Sequence, residues 1–562
     1  MGHRTLLISA LVAALTTATP AISNDNPGAY LAARQAAMQS DFAASVRYYT
    51  QALLADPTNE DLLDNLLTSH VALGNFDAAV PIALRMIDLE VDGQLANLVI
   101  DAEAAASGNW NDIFSALEGS HSVSPLVDGL AQAWAALGLG QMGQSLQSFD
   151  EVIETEGMRS YGLYHKALAL AAVGDFEQAD QLMVEQGGAY SARSAFAHAQ
   201  ILSQLGRNDD ALDMLDRVFG RALDPTLSAL KSDLRDGLTV PYDIVTDARQ
   251  GMAETAFMVA ELLRNETPDG YTLLYVRVAQ YLDPQNTTAA LMAADLLENL
   301  ERYELANQAY ALVPRDHPAY AVAETNRIDM LRRAGRADAA IEVGRSLSRS
   351  HPDLAFVHAK LADALRTNSQ FEEAAAAYSR ALDLYSDDDR GRWIVLYTRA
   401  ITYHQLDEWP LAEADFRAAL ELNPDQPQVL NYLGYSLVER NEKLDEALEM
   451  IEKAVAAEPD NGAIVDSLGW VLFQLGRYDE AVIYMERAAS LEAVDPIVND
   501  HLGDVYWAVG REIEATFQWN RALSFDPEPE LAERIRQKLE LGLDAVLIAE
   551  GMEPIRVAND DP

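Results

Sequence analysis

The chain has 562 residues, 41 Lys and Arg against 88 Asp and Glu, a formal charge of −47, no cysteine and 49% hydrophobic residues. That length holds several domains or one long repetitive one, with ample core material, and the missing cysteine excludes disulfides, thiolate metal sites, a cysteine nucleophile and cysteine lipidation. The acidity disfavours nucleic acid and anionic membrane surfaces, both of which are held by Lys and Arg, and leaves neutral or basic partners.

Residues 1–23 place His3 and Arg4 before an apolar run from Leu6 to Leu15, followed by small and polar residues. This is the charged, hydrophobic and small-residue order of a secretory signal peptide, with Ala21 and Ser23 suiting cleavage before Asn24. The run is short for a bilayer, and no later stretch is long and apolar enough to cross one. The expected product is exported and soluble, periplasmic or secreted, with no direct membrane insertion after cleavage.

Beyond it the chain repeats itself. An N-terminal array is predicted over 24–225, opening with Phe42, Tyr49, Ala52 and Pro57 and continuing through Gly74, Phe76 and Ala79, then Gly174, Phe176 and Ala179, then Gly206, Ala211 and Leu215. Residues 226–252, with Gly237 and Pro241 and no clear phase, read as an irregular joint. A degenerate middle array follows over 253–392, carried by Ala256, Ala260 and Leu263, by Tyr303, Ala306 and Tyr310, by Gly335 and Ala340, and by Phe371, Ala374, Tyr378 and Ala381. The pattern is clearest over 393–529, where Ala412, Ala447, Ala481 and Ala515 recur at steps of 35, 34 and 34. Phe416, Ile451, Met485 and Trp519 follow each by four, and Ala419, Ala454, Ala488 and Ala522 by seven. Gly434, Gly469 and Gly503 mark a second phase. Residues 530–550, apolar at Leu531, Ile535, Leu539, Leu543 and Leu547, predict a terminal capping helix with Arg534, Arg536 and Lys538 toward water. A flexible tail is expected over 551–562.

These spacings resemble the tetratricopeptide repeat: two antiparallel helices with small residues at their close crossing and a bulky residue in the adjoining hole. The resemblance implies an all-α, right-handed superhelical solenoid of about fourteen helix-turn-helix units. It also implies that the second, fifth, ninth and twelfth positions of each unit line a concave surface. On the three best-formed units these include Asn431, Tyr435 and Val438, then Asp466, Trp470 and Phe473, then Asp500, Asp504 and Trp507. Aromatic anchors beside polar groups suit a binding hot spot, and acids there would repel a peptide carboxylate and attract Lys or Arg. Two alternatives stay open: the tryptophans pack between inner helices, and the acids are solvated or serve helix starts.

Signals that imitate chemistry have plainer readings. Gly138-Leu139-Gly140-Gln141-Met142-Gly143 reads G-x-G-x-x-G, but a helical run precedes it where a dinucleotide site needs a strand. The ten histidines are scattered, and Asp387-Asp388-Asp389 lacks the order of a calcium loop. No cofactor, metal or catalytic residue is expected, and the chain is read as no enzyme.

The stretches Leu430-Asn431-Tyr432-Leu433-Gly434-Tyr435, Ile464-Val465-Asp466-Ser467-Leu468-Gly469-Trp470 and Asp500-His501-Leu502-Gly503-Asp504 are similar to a group of exported bacterial tetratricopeptide proteins. One branch of that group is an outer-membrane lipoprotein that serves as adaptor for a periplasmic carboxyl-terminal processing protease. The resemblance implies a scaffold or adaptor holding partner proteins, among them such a protease, although the lipidation cysteine is missing here. A second reading is a glycan-handling component of polysaccharide or peptidoglycan export, with Trp470, Trp507 and the Asp residues as a sugar platform.

Overall fold

The computed structural model describes residues 27–91, 93–118, 121–187, 191–220, 225–386 and 389–555. The predicted signal segment 1–23, Asp387 and Asp388, and most of the expected tail lie outside these. The described residues form 31 α-helices and no β-strand, the all-α solenoid that the spacing predicts. The chain divides into two compact units, Met1–Ala334 and Gly335–Pro562.

Between paired helices a residue in the left-handed region follows the first helix, and in some pairs an aspartate caps the second. Gly174 has φ +85°, and the Asp175 side chain then accepts from the Gln178 N–H at 3.2 Å. The G-x-G-x-x-G run is such a turn: Gly138 closes the Pro125–Gly138 helix, and the Met142–Glu154 helix begins four residues on. A Cβ on Gly138 would lie 2.3 Å from the Trp110 ring, so packing explains that glycine.

In the first unit, the helices Glu60–Ala72, Gln94–Ser107, Pro125–Gly138 and Arg159–Ala172 are covered by the chain itself. The Ala248–Leu263 helix packs on the last three and Asp269–Leu282 on the first two. The junction is tight and polar. A Cβ on Gly251 would meet the Trp134 ring at 2.2 Å, and the Trp134 indole N–H donates to Nδ1 of buried His165 at 3.1 Å. Burial lowers the His165 pKa to about 3 and keeps the ring neutral. Glu254, also buried, accepts from the Tyr164 hydroxyl at 2.7 Å and from Arg193 Nε at 2.5 Å. Arg277 Nε donates to the Ala72 carbonyl at 3.1 Å, closing the end of the Glu60–Ala72 helix.

The segment read as a joint therefore lies inside the first unit. It contains a regular helix, Pro225–Arg235, and then an extended run tied to the Ala192–Gln204 helix. Gln204 Nε2 donates to the Val240 carbonyl at 2.6 Å, and Gln200 exchanges hydrogen bonds with Asp243. Side chains here replace the ladder that a helix supplies, which is why the stretch has no repeat phase yet is held in place.

In the second unit the predicted small-to-large contacts form. A Cβ on Gly434 would lie 2.7 Å from Ile451, on Gly469 2.7 Å from Met485, and on Gly503 2.4 Å from Trp519. The expected single helix over 530–550 is instead two, Pro529–Leu541 and Leu543–Ala549, broken at Gly542 with φ +81°. The Trp507 ring fills the space that a Cβ there would take, 2.7 Å away.

Asp101 offers a test of the first unit's interior. It is 5% exposed, and burial, reinforced by Asp128, pushes its carboxyl up to about 7. Below the unfolded value of about 4 both states hold the proton and the fold loses nothing. As pH rises toward 7 the unfolded chain releases its proton first, and stability falls. Asp101→Asn should therefore raise the melting temperature at pH 8, with a gain bounded at about 4 kcal/mol, and leave it unchanged at pH 4. Melting curves across this range check both arms.

Candidate functional site

The nine residues assigned to a concave binding face do not form an open acidic groove. Val438, Asp466, Trp470, Phe473, Asp500 and Asp504 are buried, whereas Asn431, Tyr435 and Trp507 keep partial exposure. Asp466 and Asp500 lie a turn inside their helices, Gly462–Gln474 and Pro496–Ala508, whose starts are capped by Asn461 and Asp495. Helix capping is thus not their role.

Each acid already has a cation. Lys538, expected toward water, is 1% exposed, and its Nζ donates to both oxygens of Asp500 at 2.8 Å and to Asp504 at 2.7 Å. Arg534 approaches the same carboxylates at 3.9 and 3.8 Å. The sequence pattern around Leu531, Ile535 and Leu539 could not show this, because a lysine's long stem reaches inward from the edge of an apolar face. Asp504 also accepts from the Trp519 indole N–H at 2.9 Å. Its carboxyl is raised by burial and by Asp500, with Lys538 opposing.

The aromatics are used internally as well. Phe473, Trp470 and His501 stack in series, with centroid separations of 4.9 and 4.0 Å. His501 Nδ1 lies 3.0 Å from Asp466. Burial works against its imidazolium, but Asp466, aided by Asp500 and Asp504, raises the pKa overall. The Trp507 indole N–H donates to Asp544 at 3.0 Å. Asp466, Trp470, Phe473, Asp500, Asp504 and Trp507 therefore form one packed, charge-balanced body beneath the C-terminal helices. The Trp470 ring is stacked against Phe473 and His501, and the Trp507 ring has Trp519 tilted against it at 5.6 Å.

What stays open lies one repeat upstream. On the Pro427–Glu439 helix, Asn431 Oδ1 is buried without a hydrogen-bond partner. It sits beside half-buried Tyr435, whose hydroxyl is held protonated by burial and by Glu439 and Asp466. On the preceding Arg392–Gln405 helix, Ile394 is 48% exposed and Tyr397 half-buried. Partly exposed polar and aromatic side chains at inner positions of this kind are suited to an extended segment.

Sequence reading missed a second feature, in the first unit. A pocket of about 560 Å³ lies where the Glu60–Ala72, Gln94–Ser107 and Asp269–Leu282 helices begin. Glu60, Asp61 and Asp64 form one wall, Tyr271 and Tyr275 another, and no Lys, Arg or His lines it. Its parts are some two hundred residues apart in sequence, so no local signal announces it. Among the described residues no group of three or more His, Asp or Glu is arranged to hold a metal ion.

Models of the tetratricopeptide repeat match residues 359–427 and 433–496 in the second unit and 160–185 and 192–217 in the first, so repeats of this type are present there. A tetratricopeptide repeat-containing protein of Pseudomonas aeruginosa is 34% identical over 156 residues, which is 28% of this chain and only 26% of that relative's own length. Among solved structures, the Cut9–Hcn1 assembly is 15% identical with a TM-score of 0.38, covering 92% of this chain and 96% of that one. Yeast Tom70 is 12% identical with a TM-score of 0.35, covering 94% and 97%. At those scores the likeness is too loose to bear on function.

The buried lysine yields a direct expectation. Lys538→Met leaves Asp500 and Asp504 facing each other without their main cation, a loss of about 3–5 kcal/mol. Thermal denaturation should show the second unit melting earlier, and adding Asp500→Asn and Asp504→Asn should recover much of the loss. An unchanged melting temperature for Lys538→Met would contradict the assignment.

Proposed function

We propose that the protein is a non-enzymatic scaffold of the bacterial envelope that holds extended segments of partner proteins on the inner face of its second unit. The observation that carries this reading is the partial exposure kept at inner positions by Asn431 and Tyr435, with Ile394 exposed and Tyr397 half-buried on the preceding Arg392–Gln405 helix. Helical repeats support it, because stacked pairs present a long continuous surface with no separate catalytic domain. The envelope location rests on the order of residues in 1–23, and service to a periplasmic processing protease rests on the sequence similarity around Gly434, Gly469 and Gly503. Against the glycan alternative, Trp470 is stacked between Phe473 and His501.

A photo-crosslinking amino acid at Tyr435 of the full chain, activated in the native host and followed by mass spectrometry, tests the proposal. The expected outcome is covalent adducts with one or a few proteins, strongly reduced when Asn431→Ala is added. Adducts with no protein, or with glycan alone, would refute it.

A further inference from the structure

We infer that the pocket at the start of the Glu60–Ala72, Gln94–Ser107 and Asp269–Leu282 helices is a second binding site, taking an Arg or Lys of an extended basic polypeptide segment with an apolar neighbour. The inference rests on the scaffold reading above and supplies the class of one partner.

Charge is the first argument. Glu60, Asp61 and Asp64 line the pocket with no basic side chain among its walls, and none of the three forms an ion pair among the described residues. Glu60 and Asp61 occupy the first turn of their helix and complement its dipole. Asp64 is a turn further in, where the dipole gives it no reason to be acidic. Asp64 is exposed at the pocket wall, where partial desolvation and the neighbouring Asp61 push its carboxyl up, so an arriving cation meets an acid that the fold leaves unpaired.

The second argument is shape and surface. Tyr271 and Tyr275 meet edge to face at 5.8 Å, and Tyr271 is 42% exposed, presenting an aromatic surface on which a guanidinium or ammonium can lie. Leu98 and Leu274 add apolar lining for a neighbouring side chain. A volume of about 560 Å³ admits a few side chains of an extended segment and is too small for a docked helix.

The third argument comes from the chain's other end. There a pair of aspartates beside an aromatic ring is occupied: Lys538 Nζ contacts Asp500 and Asp504 and lies 5.9 Å from the Trp519 ring. Two further acids carry their own cations, Glu254 with Arg193 and Asp415 with Arg399, whereas buried Asp101 has none. The pocket has the same donors of attraction with the cation left out, which suits a partner that supplies it.

Fluorescence anisotropy of the full chain at physiological salt, with a labelled nonapeptide of alternating Arg and Leu, tests the site. Wild type should bind it and ignore the same peptide with Gln for Arg. Asp64→Asn and, separately, Tyr271→Ala should each weaken binding by about tenfold. Asp479→Asn with Glu512→Gln and Glu540→Gln, which removes three charges from exposed sites in the second unit where Asp64→Asn removes one, should change it by less than about twofold. Equal weakening by that control set, or no response to Asp64→Asn, would show attraction to bulk charge and overturn the site. Two separate outcomes can then be told apart. Crosslinks at Tyr435 that persist while Asp64→Asn has no effect refute the pocket and leave the scaffold, whereas absence of any Tyr435 adduct refutes the scaffold itself.

Discussion

The last three helix pairs of the second unit rest on one steric contact, repeated: a glycine of the first helix against a bulky side chain of the second. Gly434 meets Ile451, Gly469 meets Met485 and Gly503 meets Trp519, each at a distance that leaves no room for a methyl group. The close crossing lets the alanines at 447, 481 and 515 and the bulky residues beside them lose contact with water altogether. A pair built this way still has an uncovered face, so pairs must stack, and the last one must be closed by something else. The Pro529–Leu541 and Leu543–Ala549 helices do this, with the break at Gly542 set by the Trp507 ring.

Closure brings a charge problem with it. Inner positions of the last two repeats carry Asp466, Asp500 and Asp504, and covering them would strand three carboxylates. The chain answers with His501, Lys538 and Arg534, so the cluster beneath the terminal helices balances internally. The first unit does the same with Glu254, Arg193 and Tyr164 where its later helices cover its earlier ones. Net charge is therefore a poor guide to where a partner is attracted. The informative acids are those that line an open pocket without a cation, and Asp64 is one of these.

The repeat phase was legible in the sequence because it is a short-range steric rule: alanines and bulky residues at fixed spacing need no tertiary knowledge to be recognised. The inner positions were legible as positions, and Asn431 and Tyr435 do keep the partial exposure that binding needs. Their occupancy was not legible. Asp500 and Asp504 meet Lys538 across more than thirty residues, and Trp507 meets Asp544 likewise, so an acidic and aromatic patch on the repeat grid became a closed core. The stretch 226–252 misled in the opposite sense. Loss of phase suggested a boundary, but side-chain hydrogen bonds from Gln200, Ser203 and Gln204 hold it, and the division between units falls at 334 and 335 instead.

The central claim is that the last repeats and the terminal helices are one body, closed over their own acids. Amide hydrogen exchange of the full chain tests it most directly. The Pro529–Leu541 helix should exchange as slowly as Pro496–Ala508, and both should speed up together as Asp500 and Asp504 lose Lys538 by substitution. Fast exchange across 529–541 while 496–508 stays protected would show the terminal helix standing away from the repeats, with the acids open to a partner after all.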